Sequence, residues 1–197
     1  MFRLTPIVRN LLMINSIVFL AQILIRALPI MEYLSLWNIN TGNFRPYQLF
    51  TYMFVHHDGG HIFFNMIGLV FFGPILENLW GPMRFLAFYI ICGIGAGLFN
   101  LILDLYVGDG SFGMMMGASG AVYGVLTAFG ILFPNTVIQL LIPPIPIKAK
   151  YLVMIFGVIA LYSAFNRSPG DNTAHFAHLG GIVVAIVQLQ FWRFKSG

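Results

Sequence analysis

Residues 83–103 read MRFLAFYIICGIGAGLFNLIL and form an unbroken apolar stretch in which Arg84 is the one charged residue. A helix rises about 1.5 Å per residue, so this stretch is about 31 Å long, close to the thickness of the hydrocarbon core of a bilayer. The stretch therefore predicts a transmembrane helix.

The composition of the whole chain indicates the same class of protein. Of its 197 residues, 59% are hydrophobic and 8% are charged, whereas a soluble domain carries about 25% charged residues. Too few charges remain to cover a water-facing surface, so most of the surface must face lipid. The net charge of +4 comes without a cluster of Lys and Arg, which gives no support for a nucleic-acid partner.

Apolar stretches recur along the chain and predict six membrane spans in a single domain over residues 1–197. Turn residues separate neighbouring spans at 81–82, 143–146 and 167–172. The predicted spans are 10–29, 62–79, 83–103, 118–133, 149–166 and 173–193. The predicted fold class is therefore all-α, a polytopic bundle of six transmembrane helices.

Basic residues are unequally shared between the two sides that these spans create. One side carries Arg3, Arg9, Arg84, Lys148, Lys150, Arg193 and Lys195, and the other carries Arg26, Arg45 and Arg167. Cytoplasmic loops are enriched in Lys and Arg. The sequence therefore predicts that both termini are cytoplasmic.

Polar side chains from three predicted spans lie near the opposite, outer side. His61 and Asn65 open the second span, Ser119 opens the fourth, and His178 lies about six residues into the sixth. The fourth span is only about 21 Å long at the helical rise, which places Ser119 below the outer surface. Polar groups are costly in a membrane and usually face the interior of the bundle. We therefore expect these side chains to meet in a cavity that opens to the outside.

Ser119 has the surroundings that a nucleophile needs. Gly117 and Gly120 flank it and leave room for a substrate backbone and an unusual turn. A serine hydroxyl needs a base within hydrogen-bond reach, and histidine is the usual one near neutral pH. With no carboxylate close to His178, the pattern predicts a Ser–His dyad instead of a triad. Donors for an oxyanion could come from the backbone at Ala118 and Ser119 and from the side chains of His61 and Asn65.

Three motifs resemble the signatures of the rhomboid family of intramembrane serine proteases. They are GASGAVYG at 117–124, AHLGG at 177–181 and HHDGGHIFFN at 56–65. Glu77 followed by Gly81 also resembles the inner end of the family's second helix. The motifs occur in the family's order and on the expected side, and the resemblance covers about residues 8–195.

The resemblance implies a role for each matching residue. Ser119 would be the nucleophile and His178 the general base, with Tyr123 stacked on the histidine ring. Oxyanion stabilisation would fall to His61 and Asn65, together with backbone N–H groups. His56 would have a structural role.

The resemblance also implies the partners and the location. Substrates would be transmembrane segments of other proteins in the lipid bilayer, and neither a metal nor an organic cofactor would be needed. The chain is similar to the minimal six-helix bacterial form, which implies a bacterial cytoplasmic membrane with the active site open to the outer side. Many bacterial members carry a Trp-Arg pair in the first outer loop where this chain has Tyr47-Gln48.

Three alternatives compete with a protease. A non-catalytic rhomboid-like protein that binds membrane clients would have the same fold but lack the serine or the histidine, and both are present here. The pairs His57/His61 and His175/His178 could bind zinc or haem, although the His-Glu-x-x-His motif of zinc proteases is absent. A transporter would have interrupted helices in matching halves, and the sequence shows no such pair.

Overall fold

The computed structural model describes residues 4–25, 27–106, 113–140, 144–166 and 174–195. Within these ranges the chain forms eight helices, six of them long. They are α1 (Pro6–Leu24), α2 (Ile30–Leu34), α3 (Gln48–Thr51), α4 (Gly59–Trp80), α5 (Pro82–Tyr106), α6 (Ser119–Leu132), α7 (Ala149–Phe165) and α8 (His175–Lys195). The all-α class predicted from the sequence is confirmed.

The six long helices correspond to the six predicted spans. By length and composition, α1, α4, α5 and α8 are able to cross a membrane, whereas α6 and α7 are apolar but shorter. Helix α6 has 14 residues, a length of about 21 Å. The short fourth span expected from the sequence is therefore present.

The predicted first span, 10–29, was wrong by four residues at its start and by five at its end. Helix α1 begins at Pro6 and ends at Leu24. It can begin at Pro6 because the φ angle of proline suits the first position of a helix. The second helix begins at Gly59 instead of residue 62, since the Asp58 carboxylate accepts the backbone N–H of His61 at 2.8 Å and caps the helix.

The segment between α1 and α4 folds over the end of the bundle at which α1 ends and α4 begins. Strand β1 (Leu36–Trp37) pairs antiparallel with β2 (Met114–Met115), and two 3₁₀ turns follow β1 at Ile39–Thr41 and Tyr52–Phe54. Gln48 is buried and organises this segment. Its amide accepts hydrogen bonds from the backbone of Trp37 and Arg45 and donates to the carbonyls of Tyr33 and Asn43.

A second small ladder lies at the opposite end of the bundle, where α6 ends and α7 begins. Strands β3 (Val137–Gln139) and β4 (Pro146–Lys148) pair antiparallel between α6 and α7. Neither ladder was predicted from the sequence. Some of the sequence predictions fall outside the described residues. They concern the turn at 167–172, residue 143 of the turn at 143–146, and the basic residues Arg3, Arg26 and Arg167.

Helix α6 lies in the centre of the bundle, against α4, α5, α7 and α8. Nine of its 14 residues are buried. Glycines allow this close packing: a Cβ atom on Gly124 would lie 2.6 Å from the sulfur of Cys92, and one on Gly120 would lie 2.5 Å from the Cβ of Ala96. The central position fixes the height of Ser119, the first residue of α6.

Glu77 joins the last turns of α4 to the start of α1. Its side chain is buried and accepts hydrogen bonds from the Thr5 hydroxyl and from the backbone N–H groups of Ile7 and Val8, the latter two at 2.9 Å. The first N–H groups of a helix have no partner within it, so a carboxylate on α4 supplies the cap of α1.

We expect Glu77→Ala to lower the stability of the folded protein by about 3 kcal/mol, because it leaves several donors without an acceptor in a buried site. Thermal unfolding in detergent measures this. Glu32→Ala, which removes an exposed carboxylate, is the matched control and should change stability by less than about 0.5 kcal/mol. Equal melting temperatures for the two variants would contradict the capping role.

Candidate active site

Ser119 and His178 meet near the end of the bundle at which α6 and α8 begin. The Nε2 atom of His178 lies 2.9 Å from the Oγ atom of Ser119, although the residues are 59 positions apart. Both side chains are half-buried. A serine hydroxyl at hydrogen-bond distance from an imidazole can transfer its proton to the ring as it attacks an electrophile.

Close contact between α6 and α8 makes this approach possible. A Cβ atom on Gly181 would lie 2.0 Å from the carbonyl oxygen of Gly120, so the two backbones touch. Gly120 follows Ser119, and Gly181 lies one turn after His178. The contact between Gly120 and Gly181 therefore helps to set the distance between Ser119 and His178.

Tyr123 holds the histidine ring from one side. Its ring lies 4.3 Å from the ring of His178 at an interplanar angle of 5°, which is the stacking that the resemblance implied. Phe156 of α7 contacts Tyr123 edge to face at 6.0 Å, and His175 lies 6.0 Å from His178 in the same manner. These neighbours restrict rotation of the imidazole.

Gly117 brings the backbone before Ser119 against His61. Gly117 has a φ of 115°, a conformation that side-chain-bearing residues rarely adopt. The Nε2 atom of His61 occupies the space where a Cβ would stand, 2.5 Å from that position. Both the conformation and the contact require glycine here, and they bring the His61 imidazole beside the segment that carries Ser119.

The other predicted oxyanion donors are engaged in different ways. The Asn65 amide nitrogen donates to the backbone carbonyl of His61 at 2.8 Å, and since this group carries two hydrogens, the bond uses one of them. The N–H of Ala118 is directed at the Nε2 atom of His56, 3.4 Å away. The role of Ala118 as a donor to the oxyanion stays a prediction.

His56 and Asp58 precede α4 and have different environments. Burial of the imidazole lowers the pKa of His56, which keeps the ring neutral and able to accept a hydrogen bond. Hydrogen bonds from the His61 backbone and the His57 ring lower the pKa of the exposed Asp58 carboxyl. Asp58 therefore remains charged at the positive end of α4, where a negative charge is favourable.

Two contributors to the site were not predicted from the sequence. The carbonyl of Tyr52 accepts the N–H of Gly117 at 2.9 Å, and the phenol of Tyr52 donates to the carbonyl of Gly93 at 2.6 Å. The side chain of Gln22 on α1 bonds the backbone of His56. An amide inside an apolar span is a signal that could have identified Gln22, whereas Tyr52 lies in an apolar segment that gave no signal.

His56 and His61 lie close together, with ring centroids 5.0 Å apart, whereas His175 lies beside His178. Across the part of the chain that the structure describes, no group of three or more His, Cys, Asp or Glu side chains is placed to hold a metal ion. The His57 ring instead contacts the Asp58 carboxylate at 3.1 Å.

Comparison with known proteins identifies the family. The model of the Rhomboid domain matches residues 43–193. The chain is 32% identical over 169 residues to "RHOMBOID-like protein 12, mitochondrial" of Arabidopsis thaliana, covering 78% of this chain and 48% of the relative. It is 30% identical over 164 residues to "Rhomboid protease AarA" of Providencia stuartii, covering 77% and 57%.

A third relative extends the comparison to a protein of more similar length. The chain is 26% identical over 156 residues to "Putative rhomboid protease YdcA" of Bacillus subtilis, covering 78% of this chain and 73% of the relative. The chain spans about half the length of the first two relatives. The match to the Rhomboid domain over most of the chain, on an apolar helical bundle, shows that this integral membrane protein belongs to the rhomboid family.

Proposed function

We propose that this chain is an intramembrane serine endopeptidase that hydrolyses peptide bonds in or near the transmembrane segments of other membrane proteins. The observation that carries the proposal is the 2.9 Å distance between Ser119 Oγ and His178 Nε2. The family supports it, because relatives of this chain bear the name rhomboid protease.

In the proposed reaction, the Oγ atom of Ser119 attacks the carbonyl carbon of the scissile bond while its proton passes to Nε2 of His178. The negative charge that forms on the substrate oxygen is stabilised by donors around it. His178 then returns the proton to the leaving amine, and an acyl group remains on Ser119. Water, activated by the same imidazole, releases the acyl group and restores the serine.

The donors to the oxyanion in this scheme are the backbone N–H of Ser119 and the side chains of His61 and Asn65. Support for His61 comes from its contact with Gly117, two residues before the nucleophile. Ser119 also begins α6, where the helix dipole favours negative charge. The backbone N–H of Ala118 is a further candidate donor, and it lies 3.4 Å from the Nε2 atom of His56.

We also propose an orientation of the helix bundle in the membrane. Ser119 and His178 lie at the end of the bundle opposite the basic residues Arg84 and Lys148, and the positive-inside rule assigns the basic end to the cytoplasm. The active site then opens to the outer side of a bacterial cytoplasmic membrane. Family relatives occur in bacteria and include proteins whose names place them in mitochondria.

A fluorophosphonate probe tests the proposal directly, because it phosphonylates activated serines and needs no knowledge of the natural substrate. We expect one covalent adduct, on Ser119, when the purified protein is treated in detergent and mapped by mass spectrometry. Cleavage of a transmembrane reporter should be lost in proportion to labelling. An adduct on another residue, or cleavage that persists after complete labelling, would contradict the proposed nucleophile.

A further inference from the structure

Gln22 links the first helix to the segment that precedes α4. Its Nε2 atom donates to the carbonyl of His56 at 3.0 Å, and its Oε1 atom accepts the N–H of His56 at 3.3 Å. Both polar ends of the amide are thus bonded to one residue, 34 positions away. Leu20 and Leu24, on either side of Gln22 in the sequence, are exposed on the outside of the bundle, whereas the Gln22 amide turns inward.

The backbone that Gln22 holds needs external partners. His56 lies between the 3₁₀ turn that ends at Phe54 and the start of α4 at Gly59, where neither a helix nor a strand supplies hydrogen bonds to it. The residue is fully buried, and unpaired backbone groups are costly there. The amide of Gln22 satisfies both groups and so fixes the position of the His56 backbone.

The His56 ring contacts two groups beside the candidate oxyanion site, the backbone N–H of Ala118 and the ring of His61. Its Nε2 atom accepts the N–H of Ala118 at 3.4 Å, so the ring nitrogen must be unprotonated, as burial of the ring favours. On its other side the ring meets the His61 ring edge to face, with centroids 5.0 Å apart. A shift of His56 would therefore displace both the peptide before Ser119 and the His61 imidazole.

We propose that Gln22 is a positioning residue for the active site, which acts by holding His56 so that its imidazole fixes the Ala118 peptide next to Ser119. The inference rests on the proposed function, and it adds a role for α1 in the geometry of the oxyanion site. It also assigns the contact between the Ala118 N–H and His56 to holding the loop that leads into Ser119.

The first test replaces Gln22 with leucine, which has a similar size but neither hydrogen bond. We expect kcat for a transmembrane reporter to fall about ten-fold with KM little changed, since misplacement of catalytic groups lowers the rate of the chemical step. Asn15→Leu is the matched control: Asn15 is a buried amide on the same helix whose nitrogen bonds the carbonyl of Leu11 in its own turn. That variant should retain the kcat of the wild type.

The second test separates positioning from general stability at His56. Glutamine can place an acceptor oxygen where the imidazole Nε2 lies, whereas leucine cannot. We therefore expect His56→Gln to react with a fluorophosphonate at least about five-fold faster than His56→Leu, because the adduct has a tetrahedral centre that needs the same donors as the intermediate. Equal rates for the two variants would contradict the role of the Ala118 contact.

A third measurement does not depend on activity. Amide hydrogen exchange, followed by mass spectrometry of the peptide that contains Ala118, should be faster in Gln22→Leu than in the wild type and unchanged in Asn15→Leu. Wild-type exchange and wild-type kcat in Gln22→Leu would overturn the inference, as would equal losses in both variants. An inactive and unlabelled wild type with the exchange difference intact would count against the proposed function instead.

Discussion

Replacing Ser119 with alanine is expected to reduce cleavage of a transmembrane reporter about 10⁴-fold or more, to the uncatalysed background. The reason is that the Oγ atom supplies the bond-forming electron pair, and no neighbouring group can replace it. The substitution removes one oxygen from a half-buried site and leaves the helix contacts of α6 in place. Melting temperature and helical circular dichroism should therefore stay close to those of the wild type.

His178→Ala is expected to cause a loss of the same order, because the hydroxyl 2.9 Å away then has no base. Members of a catalytic unit do not contribute additively, so the double variant should be no slower than either single one. Ser16→Ala and His57→Ala remove an exposed serine and an exposed histidine elsewhere, and both should cleave at the wild-type rate. Appreciable cleavage by purified Ser119→Ala would rule out the dyad.

The sequence predicted the helices and the site for related physical reasons. A helix that crosses lipid must satisfy its backbone internally and present apolar side chains, so each span appears as an apolar run of known length. The same cost makes Ser119, His61 and His178 conspicuous inside such runs. Because polar side chains avoid lipid, their convergence could be expected without knowledge of the packing angles.

Other features of the site have no comparable signal in the sequence. The N–H of Ala118 and the carbonyl of Tyr52 are backbone groups, which every residue carries except for the N–H of proline, so their partners depend on tertiary packing alone. Strands of two or three residues, as in β1 and β3, are too short to show an alternating pattern. The error at the start of α1 has a different origin, since an apolar window overlooks the cap at Thr5 and Pro6.

The second large effect is expected at Gly181, where the contact between α6 and α8 leaves no room for a side chain. A Cβ atom there would lie 2.0 Å from the Gly120 carbonyl oxygen and 2.9 Å from its carbon. The obstacle is backbone, which cannot rotate away as a side chain can. The helices must therefore separate by about 1 Å to reach normal van der Waals distance.

This separation acts directly on the dyad. Ser119 precedes Gly120, and His178 lies one turn before Gly181 on the same face of α8. Moving the helices apart at the glycines lengthens the 2.9 Å contact between Oγ and Nε2. Displacement by about 1 Å can lower a catalytic rate about 100-fold, and we expect kcat of Gly181→Ala to fall by that order. Overpacking should also lower stability by about 1–3 kcal/mol.

Gly157→Ala provides the comparison, because the nearest atom to its added methyl group would be the Cδ1 atom of Ile182 at 3.7 Å, an ordinary contact. Both variants add one carbon to a glycine on a membrane helix, so a loss confined to Gly181→Ala reports the α6–α8 contact and not helix propensity. Fluorophosphonate labelling of Ser119 should slow in parallel with cleavage, since both depend on activation of the hydroxyl. Wild-type kcat in a folded Gly181→Ala protein would mean that the glycine contact does not set the distance between the serine and the histidine.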